Sequence, residues 1–197
     1  VDNFIYLSSG VGLGGGIIID GNLFKGGRGF AGEIGHIQQD SKGELCGCGR
    51  RGCWETQVGP RAVLQRVKRS IEVDPDNSLA KNVNGDLDKL TFNQVVDCAL
   101  QEDQLCLSAM KEVGENLGTG IADLANIFNP EMVVIGGAFS YGREILLPII
   151  ENAIFTDVLP AIKQDMQVTF SEHGADACVL GAIAVVLDDI LREVALV

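Results

Sequence analysis

The sequence predicts an α/β domain with a mixed five-stranded sheet, packed helices and one long irregular insertion. Three features of its 197 residues support this fold class. Short apolar runs bounded by turn residues occur at five places and indicate strands. Longer segments repeat apolar residues at steps of three and four, as helices do, and they alternate with the later strands. Hydrophobic residues make up 46% of the chain, which is enough for a sizeable core and argues against disorder.

The first part of the sheet is predicted to be antiparallel. Asp20-Gly21 is a hairpin turn signal, and a glycine-rich segment at residues 9–16 connects the first two strands. Strands that follow one another through tight turns pair in antiparallel fashion. The three predicted strands cover residues 3–8, 16–20 and 22–24.

An irregular insertion is predicted at about residues 25–59. This segment is rich in glycine and cysteine and has no regular hydrophobic period. A stretch of this length without secondary structure is uncommon in a compact domain unless something organises it.

The segment after the insertion is predicted to be helical on both sides of a loop. Pro60 opens a helix with one apolar face. Residues 73–90 are polar and indicate a loop. Thr91 and Gln94 then form a capping-box pattern for a helix that reaches about residue 101.

Helices and strands alternate in the rest of the chain. A long helix ends at Asn129-Pro130, and Pro160 marks a later break. The last helix carries a single apolar stripe made of Leu180, Ile183, Leu187 and Leu191. The remaining strands are predicted at 132–135 and 166–170, and the remaining helices at about 142–155 and 176–194.

The order of elements is therefore strand, strand, strand, insertion, helices, strand, helix, strand, helix. Later strands that alternate with helices add to a sheet in parallel. This is the order of a ribonuclease-H-like lobe, the unit that is duplicated in sugar kinases, actin and heat-shock chaperones. The chain contains no internal repeat, so residues 1–197 are interpreted as a single lobe.

Composition disfavours a nucleic-acid surface and a membrane span. The net charge is −12, whereas binding to phosphates needs clustered lysine and arginine. No apolar run approaches the roughly 20 residues of a membrane helix. No basic and apolar leader opens the chain, so a cytoplasmic location is expected. One modest basic cluster on a predicted helix is interpreted as a solvated face: Arg61, Arg66, Lys68 and Arg69.

Three of the six cysteines occur singly in helical patterns, at Cys98, Cys106 and Cys178. A reducing compartment disfavours disulfides. These cysteines are interpreted as buried, small apolar residues.

The other three cysteines form the strongest motif in the sequence. His36 is followed by nine residues and then by the run CGCGRRGC over residues 46–53. Zinc favours four tetrahedral ligands drawn from thiolate and imidazole, and the glycines let the backbone curl around one ion. The closed ligand set predicts one structural, redox-inert zinc bound by His36, Cys46, Cys48 and Cys53. The alternatives are that the spacing arose by chance or that Cys46 and Cys53 form a disulfide. The expected reducing compartment and the spacing of the cysteines both favour a metal site.

Two glycine motifs are weaker signals for a phosphate or nucleotide site. Gly10, Gly12 and Gly14 lie in the first turn, where glycine lets backbone N–H groups approach a phosphate. This turn leads into another strand, so it is neither a Rossmann fingerprint nor a P-loop, and a plain hairpin is the alternative. Gly136-Gly137 follows a buried strand, where ligands approach α/β sheets, but a plain strand-to-helix turn is the favoured interpretation there.

Two carboxylates flank the predicted zinc ligands. Glu33 lies three residues before His36, and Glu55 lies two residues after Cys53. Carboxylates that are held rigidly can accept hydrogen bonds from neighbouring hydroxyls, as proteins do when they bind sugars. A solvated glutamate is the alternative for each of them taken alone.

Taken together, these residues resemble the ROK family of bacterial repressors and sugar kinases. The resemblance runs in order along most of the chain, and its zinc motif is the most specific part. It rests on GVGLGGG at residues 10–16, GGRGFAGEIGH at 26–36, CGCGRRGCWE at 46–55 and NPEMVVIGG at 129–137.

The resemblance implies that the chain is the C-terminal lobe of a two-lobe, actin-like domain. It implies that Glu33, His36 and Glu55 contact sugar hydroxyls, with His36 using one ring nitrogen for zinc and the other for the sugar. It also implies that the first glycine turn is a phosphate loop and that Gly136-Gly137 contacts adenosine. The catalytic base of family kinases belongs to the N-terminal lobe, so no catalytic residue is assigned here.

Two functions follow from the resemblance. The preferred one is the sugar-sensing lobe of a transcriptional regulator that forms dimers or tetramers and binds DNA through an N-terminal helix-turn-helix outside this chain. Val11 favours it, because family kinases usually have a threonine there and valine cannot hydrogen-bond a phosphate. The tryptophan at position 54 is a further feature that resembles the xylose-repressor branch of the family. The rival is the C-terminal lobe of an ATP-dependent sugar kinase, while a zinc-based nucleic-acid module is disfavoured because only Arg50 and Arg51 lie near the motif.

Overall fold

The sheet of the lobe has five strands in the order β3-β2-β1-β4-β5. The computed structural model describes residues 1–73, 79, 81 and 86–194. The first three strands pair in antiparallel fashion, and β4 and β5 are parallel to β1, as the sequence predicts. The strands are β1 (Phe4–Ser9), β2 (Leu13–Ile19), β3 (Asn22–Leu23), β4 (Met132–Gly137) and β5 (Gln167–Phe170).

Helices cover the sheet and surround the insertion. We number them in chain order within the described residues, leaving aside the isolated helical positions 79 and 81. They are α1 (Trp54–Val58), α2 (Pro60–Val73), α3 (Phe92–Leu100), α4 (Gln104–Phe128), α5 (Arg143–Asp157), α6 (Pro160–Lys163) and α7 (Ala177–Val194). Short 3-10 helices lie at Ile34–His36, Leu87–Lys89, Ala138–Gly142 and Gly174–Asp176.

The core lies between the sheet and the long helix α4. The predicted capping box opens α3, where the Thr91 side chain accepts from the backbone of Gln94 and the Gln94 side chain accepts from the backbone of Thr91. Helix α4 packs closely against α5 because it contains glycine at the contact, and a Cβ on Gly114 would lie only 2.7 Å from Ile149 Cγ2. The fully buried side chains of this core include Ile5, Leu7, Met110, Leu117, Ile121, Leu124, Ile135 and Ile150.

Trp54 anchors the end of the insertion to α4. Its ring is 1% exposed, and its indole N–H donates to the Asn116 carbonyl at 3.0 Å. The ring lies against Gly120, where a Cβ would come within 2.8 Å of Trp54 Cδ2. Cys53, which is the last cysteine of the motif and the neighbour of Trp54, is thereby held close to the main core.

The glycine-rich turn is shorter than the sequence predicts. Strand β2 begins at Leu13 rather than at residue 16, because the glycines of its first half still pair through their backbones with β1. Gly14 lies opposite Ser8 in that ladder, so the true turn covers only residues 10–12. Likewise β4 continues through Gly136 and Gly137, which pair with the end of β1.

Two boundaries predicted from composition are wrong. The predicted loop at 73–90 contains helical positions at Leu79 and Lys81, and Leu79 is fully buried; residues 74–78, 80 and 82–85 lie outside the described residues. The predicted break at Pro160 is present, since the preceding helix ends at Asp157, and Pro160 also opens α6 because proline fits the first helical position. The insertion ends in α1, which its composition does not reveal.

Helix α7 departs most from the expectation that the apolar face of an amphipathic helix is buried. The predicted stripe of Leu180, Ile183, Leu187 and Leu191 forms, but each of these side chains is exposed. Cys98 and Cys106 are buried as predicted, whereas Cys178 is exposed, with its sulfur 3.1 Å from Ser8 Oγ. The prediction for Cys178 is wrong because α7 lies against the sheet without being enclosed.

We predict that Gly120→Ala destabilises the chain by about 1–3 kcal/mol, because the new methyl group overpacks the Trp54 ring. Gly181→Ala is the matched control, since Gly181 is also helical but has no heavy atom near its Cβ position. The control should gain up to about 1 kcal/mol from helix propensity. Urea unfolding monitored by circular dichroism measures both, and equal stabilisation by the two substitutions would refute the packing argument.

Candidate metal centre and ligand site

Two short antiparallel bridges fold the insertion back on itself. Gln38 bridges to Cys53, and Leu45 bridges to Arg51. The Gly52 carbonyl accepts from the backbone of Gln39 at 2.8 Å, and Gly52 has a φ of 65°, a conformation that favours glycine. The closed loop brings Cys53 beside the segment that carries His36.

The run from Cys46 to Cys53 forms a tight turn. The Cys46 backbone N–H donates to the Arg50 carbonyl at 2.8 Å, and the Gly49 N–H donates to the Cys46 carbonyl at 2.9 Å. Gly49 has a φ of 88°, which allows this reversal. The Cys48 backbone N–H points at the Cys46 sulfur, 3.5 Å away, so both thiols lie on the same side of the turn.

Four potential metal ligands converge at this turn. One ligand atom from each of His36, Cys46, Cys48 and Cys53 lies within 4.8 Å of all the others. His36 Nδ1 is 3.5 Å from the Cys46 sulfur, and the Cys48 and Cys53 sulfurs are 3.6 Å apart. A tetrahedral zinc with three thiolates and one imidazole separates its ligand atoms by about 3.4–3.8 Å. The spacing therefore fits one such ion, and all six cysteines are free thiols.

Hydrogen bonds and burial give the three thiols different proton affinities. The Arg50 backbone N–H donates to the exposed Cys48 sulfur and lowers the pKa of Cys48 to about 6. Burial raises the pKa of Cys46 to about 12 and also raises the pKa of Cys53. Binding of a divalent ion requires all three as thiolates.

Arg50 places a positive charge beside the cluster. Its guanidinium donates to the His36 carbonyl at 2.7 Å, and its pKa is raised by a hydrogen bond to Cys48. Three thiolates around a divalent ion leave one net negative charge. Arg50 is positioned to offset that charge.

Glu55 lies against the ligand cluster. Its Oε1 accepts from the Cys46 thiol at 2.9 Å and lies 3.5 Å from His36 Nδ1. The side chain of Glu33 is exposed, and Glu33 is tied to His36 through a backbone bond of 3.1 Å from the His36 N–H to the Glu33 carbonyl. The structure thus joins Glu55 to the cluster by its carboxylate and Glu33 only through the backbone.

Gly12 is packed against the other side of Glu55. A Cβ on Gly12 would overlap Glu55 Oε2 and lie 3.3 Å from Glu55 Cδ. A Cβ on Gly10 or on Gly14 would lie in open space, with no heavy atom near it. Of these three turn glycines, Gly12 is the one whose missing side chain makes room for the carboxylate. The sequence gives no signal for this contact, because the two residues are far apart in the chain.

A second site lies at the carboxyl ends of the parallel strands. A cavity of about 740 Å³ is lined there by Ser8, Gly10, Gly137, Arg143 and Ser171, among others. Gly137 has a φ of 74°, and a Cβ on Gly136 would overlap the Tyr6 hydroxyl. The Gly136-Gly137 pair is therefore explained by backbone geometry and packing without a ligand.

The fold and the cluster together define a class of protein. The class is the sugar-kinase and actin-like fold with a loop whose three cysteines and one histidine could hold a metal ion. Residues 1–189 match the ROK family, and the chain belongs to that family.

The relatives include both regulators and kinases. The xylose repressor of Caldicellulosiruptor bescii is 38% identical over 97% of this chain and 47% of its own length. The Escherichia coli transcriptional dual regulator NagC is 36% identical over 94% of this chain and 44% of its own length. A ROK family glucokinase from Streptomyces griseus, solved with glucose and AMPPNP, is 33% identical with a TM-score of 0.84, covering 92% of this chain and 59% of that one. The chain thus spans about half the length of the curated relatives it matches.

Within the described part of the chain, no helix is both long enough and apolar enough to cross a membrane.

We predict that in the metal-free protein Cys48 is the first cysteine to be alkylated by iodoacetamide near neutral pH. A lowered pKa means that the thiolate predominates above about pH 6 and is lost as the pH falls through that value. Cys178 is the internal control, because it is also exposed but lies outside the cluster. Mass spectrometry of peptides labelled between pH 5 and 8 measures both rates. If Cys48 is labelled no faster than Cys178 at pH 7, the result would contradict the hydrogen bond from the Arg50 backbone to the Cys48 sulfur.

Proposed function

We propose that this chain is the sugar-sensing lobe of a ROK-family transcriptional regulator, and that one structural zinc fixes the residues that bind a monosaccharide. The observation that carries the proposal is the contact between Glu55 and the cluster of His36, Cys46, Cys48 and Cys53. A carboxylate that could bind a ligand is thereby tied to residues that a metal would immobilise.

Zinc is the metal that suits this ligand set. Three thiolates and one imidazole in a near-tetrahedral arrangement are typical of structural zinc sites, and such a closed set leaves no coordination position for chemistry. In this proposal His36 is a neutral imidazole that uses Nδ1 for the metal, since Nδ1 faces the Cys46 sulfur. Its Nε2 is then available to a ligand hydroxyl.

The proposed sugar site consists of Glu33, His36 and Glu55. Metal binding requires Cys46 to lose its proton, so the present hydrogen bond from Cys46 to Glu55 is replaced. Glu55 then becomes an acceptor for a sugar hydroxyl, while Gly12 and the loop keep its carboxylate in place. The S. griseus glucokinase in its glucose complex supports a sugar as the ligand class, since it has the same fold.

Regulation is favoured over phosphorylation by both the turn and the relatives. Val11 is 67% exposed in the turn where a phosphate would be bound, and it offers no hydroxyl. The xylose repressor and NagC are 38% and 36% identical to this chain, slightly above the 33% of the S. griseus glucokinase. Because the chain spans about half of those relatives, we assign DNA binding to the other half of the full-length protein, which we expect to form dimers or tetramers.

The charges of α2 agree with a separate DNA-binding part. In the described part of the chain, three of its four basic side chains form ion pairs with acidic residues, although the Arg69 side chain remains 67% exposed. These ion pairs are Arg66 with Glu112 at 2.8 Å, Lys68 with Asp88 at 2.9 Å and Arg69 with Glu44 at 2.7 Å.

A sugar-kinase lobe is the second candidate. The cavity at the strand ends, next to Gly10 and Gly137, favours it, as does the likeness to a glucokinase that was solved with an ATP analogue. The sequence of the full-length protein distinguishes the two: a helix-turn-helix indicates the regulator, and a second phosphate loop without one indicates the kinase. ATP turnover by the full-length protein with a hexose, above a contaminant control, would overturn the regulator assignment.

We predict that the purified chain contains about one zinc per molecule, because three thiolates and one imidazole within 4.8 Å of one another supply a closed set of four zinc ligands. Cys48→Ser should lose most of this metal, and Cys178→Ser, outside the cluster, should retain it. Elemental analysis after dialysis measures the zinc content. A metal-free wild-type protein with a Cys46–Cys53 disulfide would exclude the zinc site.

We predict that Glu55→Ala in the full-length protein weakens binding of the preferred monosaccharide about 10- to 100-fold while zinc stays bound. The loss corresponds to one charged hydrogen bond of roughly 1.5–3 kcal/mol. Calorimetric titration with hexoses, pentoses and N-acetylated sugars measures it. Gly12→Ala should also weaken binding because it displaces the Glu55 carboxylate, and Gly10→Ala, with open space at its Cβ, should not.

The other two proposed sugar contacts are tested in the same titration. His36→Ala should lose zinc and sugar together, because His36 serves both. Wild-type affinity in both Glu33→Ala and Glu55→Ala would show that the sugar binds elsewhere.

A further inference from the structure

Two thiols of the ligand cluster lie close together but differ in their access to solvent. The Cys48 and Cys53 sulfurs are 3.6 Å apart. Cys48 is exposed, whereas Cys53 is fully buried. A small oxidant in solution can therefore reach Cys48 directly, while Cys53 is held immediately behind it.

The turn around Cys48 leaves its sulfur room to move. Cys48 lies between Gly47 and Gly49, and a Cβ on either glycine would meet no heavy atom within 4 Å. A disulfide requires its two sulfurs to approach to about 2.05 Å, so the pair would have to close by roughly 1.5 Å. Cys53 is fixed by comparison, because its carbonyl accepts from the Thr56 hydroxyl at 2.6 Å. The turn that carries Cys48 is thus the part that would move.

Cys46 is a less suitable partner for Cys48. Only one residue separates these two cysteines, and a disulfide across so short a loop departs from the usual geometry and stores strain. The loop between Cys48 and Cys53 contains four residues, two of which are glycine, and therefore bends more easily. Cys46 is also buried and donates to Glu55 Oε1 at 2.9 Å. The geometry thus favours Cys53 as the partner.

We propose that Cys48 and Cys53 form an oxidation site at which a hydroperoxide opens the metal centre. With hydrogen peroxide, the Cys48 thiolate attacks one oxygen, the O–O bond breaks, and the products are a sulfenic acid and hydroxide. The Cys53 thiolate then attacks the Cys48 sulfur, and the hydroxyl group leaves as a second hydroxide. Two electrons pass from the two thiolates to the peroxide. Both hydroxides take up protons from solvent and become water.

This inference rests on the proposed zinc site and adds a means of regulating it. A Cys48–Cys53 disulfide removes two of the four ligands and leaves only His36 and Cys46, too few for a tetrahedral zinc site. Cys53 directly precedes helix α1, so the disulfide forms beside the element that carries Glu55. We expect zinc to leave and the proposed sugar contacts of His36 and Glu55 to loosen. Reduction by a thiol restores both ligands.

The test treats the zinc-loaded full-length protein with hydrogen peroxide. A chromogenic chelator measures the zinc released, and mass spectrometry of non-reduced peptides locates the disulfides. The protein should release about one zinc per chain as the Cys48–Cys53 disulfide forms, and dithiothreitol followed by added zinc should reverse both changes. Affinity for the preferred sugar should fall by about 10-fold or more on oxidation and return on reduction.

Two variants separate this pair from general oxidation. Of the six cysteines, Cys48 and Cys178 are exposed, so Cys178→Ser is the matched control and should release zinc as the wild type does. Cys48→His keeps a side chain that binds zinc but cannot form a disulfide, so it should retain zinc under the same treatment. If Cys48→His does not bind zinc, the disulfide map of the wild-type protein provides the decision.

Two results would overturn the oxidation site. The first is that zinc is retained in a sample in which Cys178 is oxidised. The second is that zinc is released without a Cys48–Cys53 disulfide. A protein that binds no zinc before oxidation refutes the proposed metal site itself, and the disulfide map still shows whether Cys48 and Cys53 pair. Unchanged sugar affinity after complete release of zinc would overturn the link to the sugar site.

Discussion

The site depends on the convergence of His36 Nδ1 with the sulfurs of Cys46, Cys48 and Cys53, four atoms within 4.8 Å of one another. The insertion that carries them has little regular secondary structure, and two isolated bridges and glycines with positive φ give it its shape. Such a loop needs something besides regular secondary structure to hold His36 and the cysteines in place. A metal ion at the convergence point would fix them, and Glu55 lies beside that point in helix α1, with its Oε1 2.9 Å from the Cys46 sulfur.

Glycines connect this loop to the sheet. A Cβ on Gly15 would lie 2.8 Å from Ile34 Cγ1, and a Cβ on Gly35 would lie 3.0 Å from the Leu13 carbonyl carbon. Gly12 makes the corresponding approach to Glu55. The turn that the resemblance assigns to a phosphate loop is thus also the surface against which the insertion with the potential metal ligands is packed. A change at the turn is therefore expected to shift the Glu55 carboxylate, and a change at the carboxylate is expected to shift the turn.

The sequence predicts those features that depend on local spacing. The cluster of potential metal ligands and the capping box at Thr91 follow from patterns within short windows, the mixed sheet follows from the order of strands and helices, and the structure contains each of them. Features that depend on residues distant in the chain are missed. The start of β2 at Leu13 depends on backbone pairing with β1, and the exposure of Cys178 depends on how α7 meets the sheet. The contact between Gly12 and Glu55 has no local pattern at all.

A crystal structure of the full-length protein with its preferred sugar, collected with anomalous data at the zinc edge, tests the central claim most directly. The account predicts one anomalous peak equidistant from the three sulfurs and bonded to His36 Nδ1, with a sugar hydroxyl within hydrogen-bond distance of the Glu55 carboxylate. No peak at that position, or a sugar bound without contact to Glu33, His36 and Glu55, would contradict it.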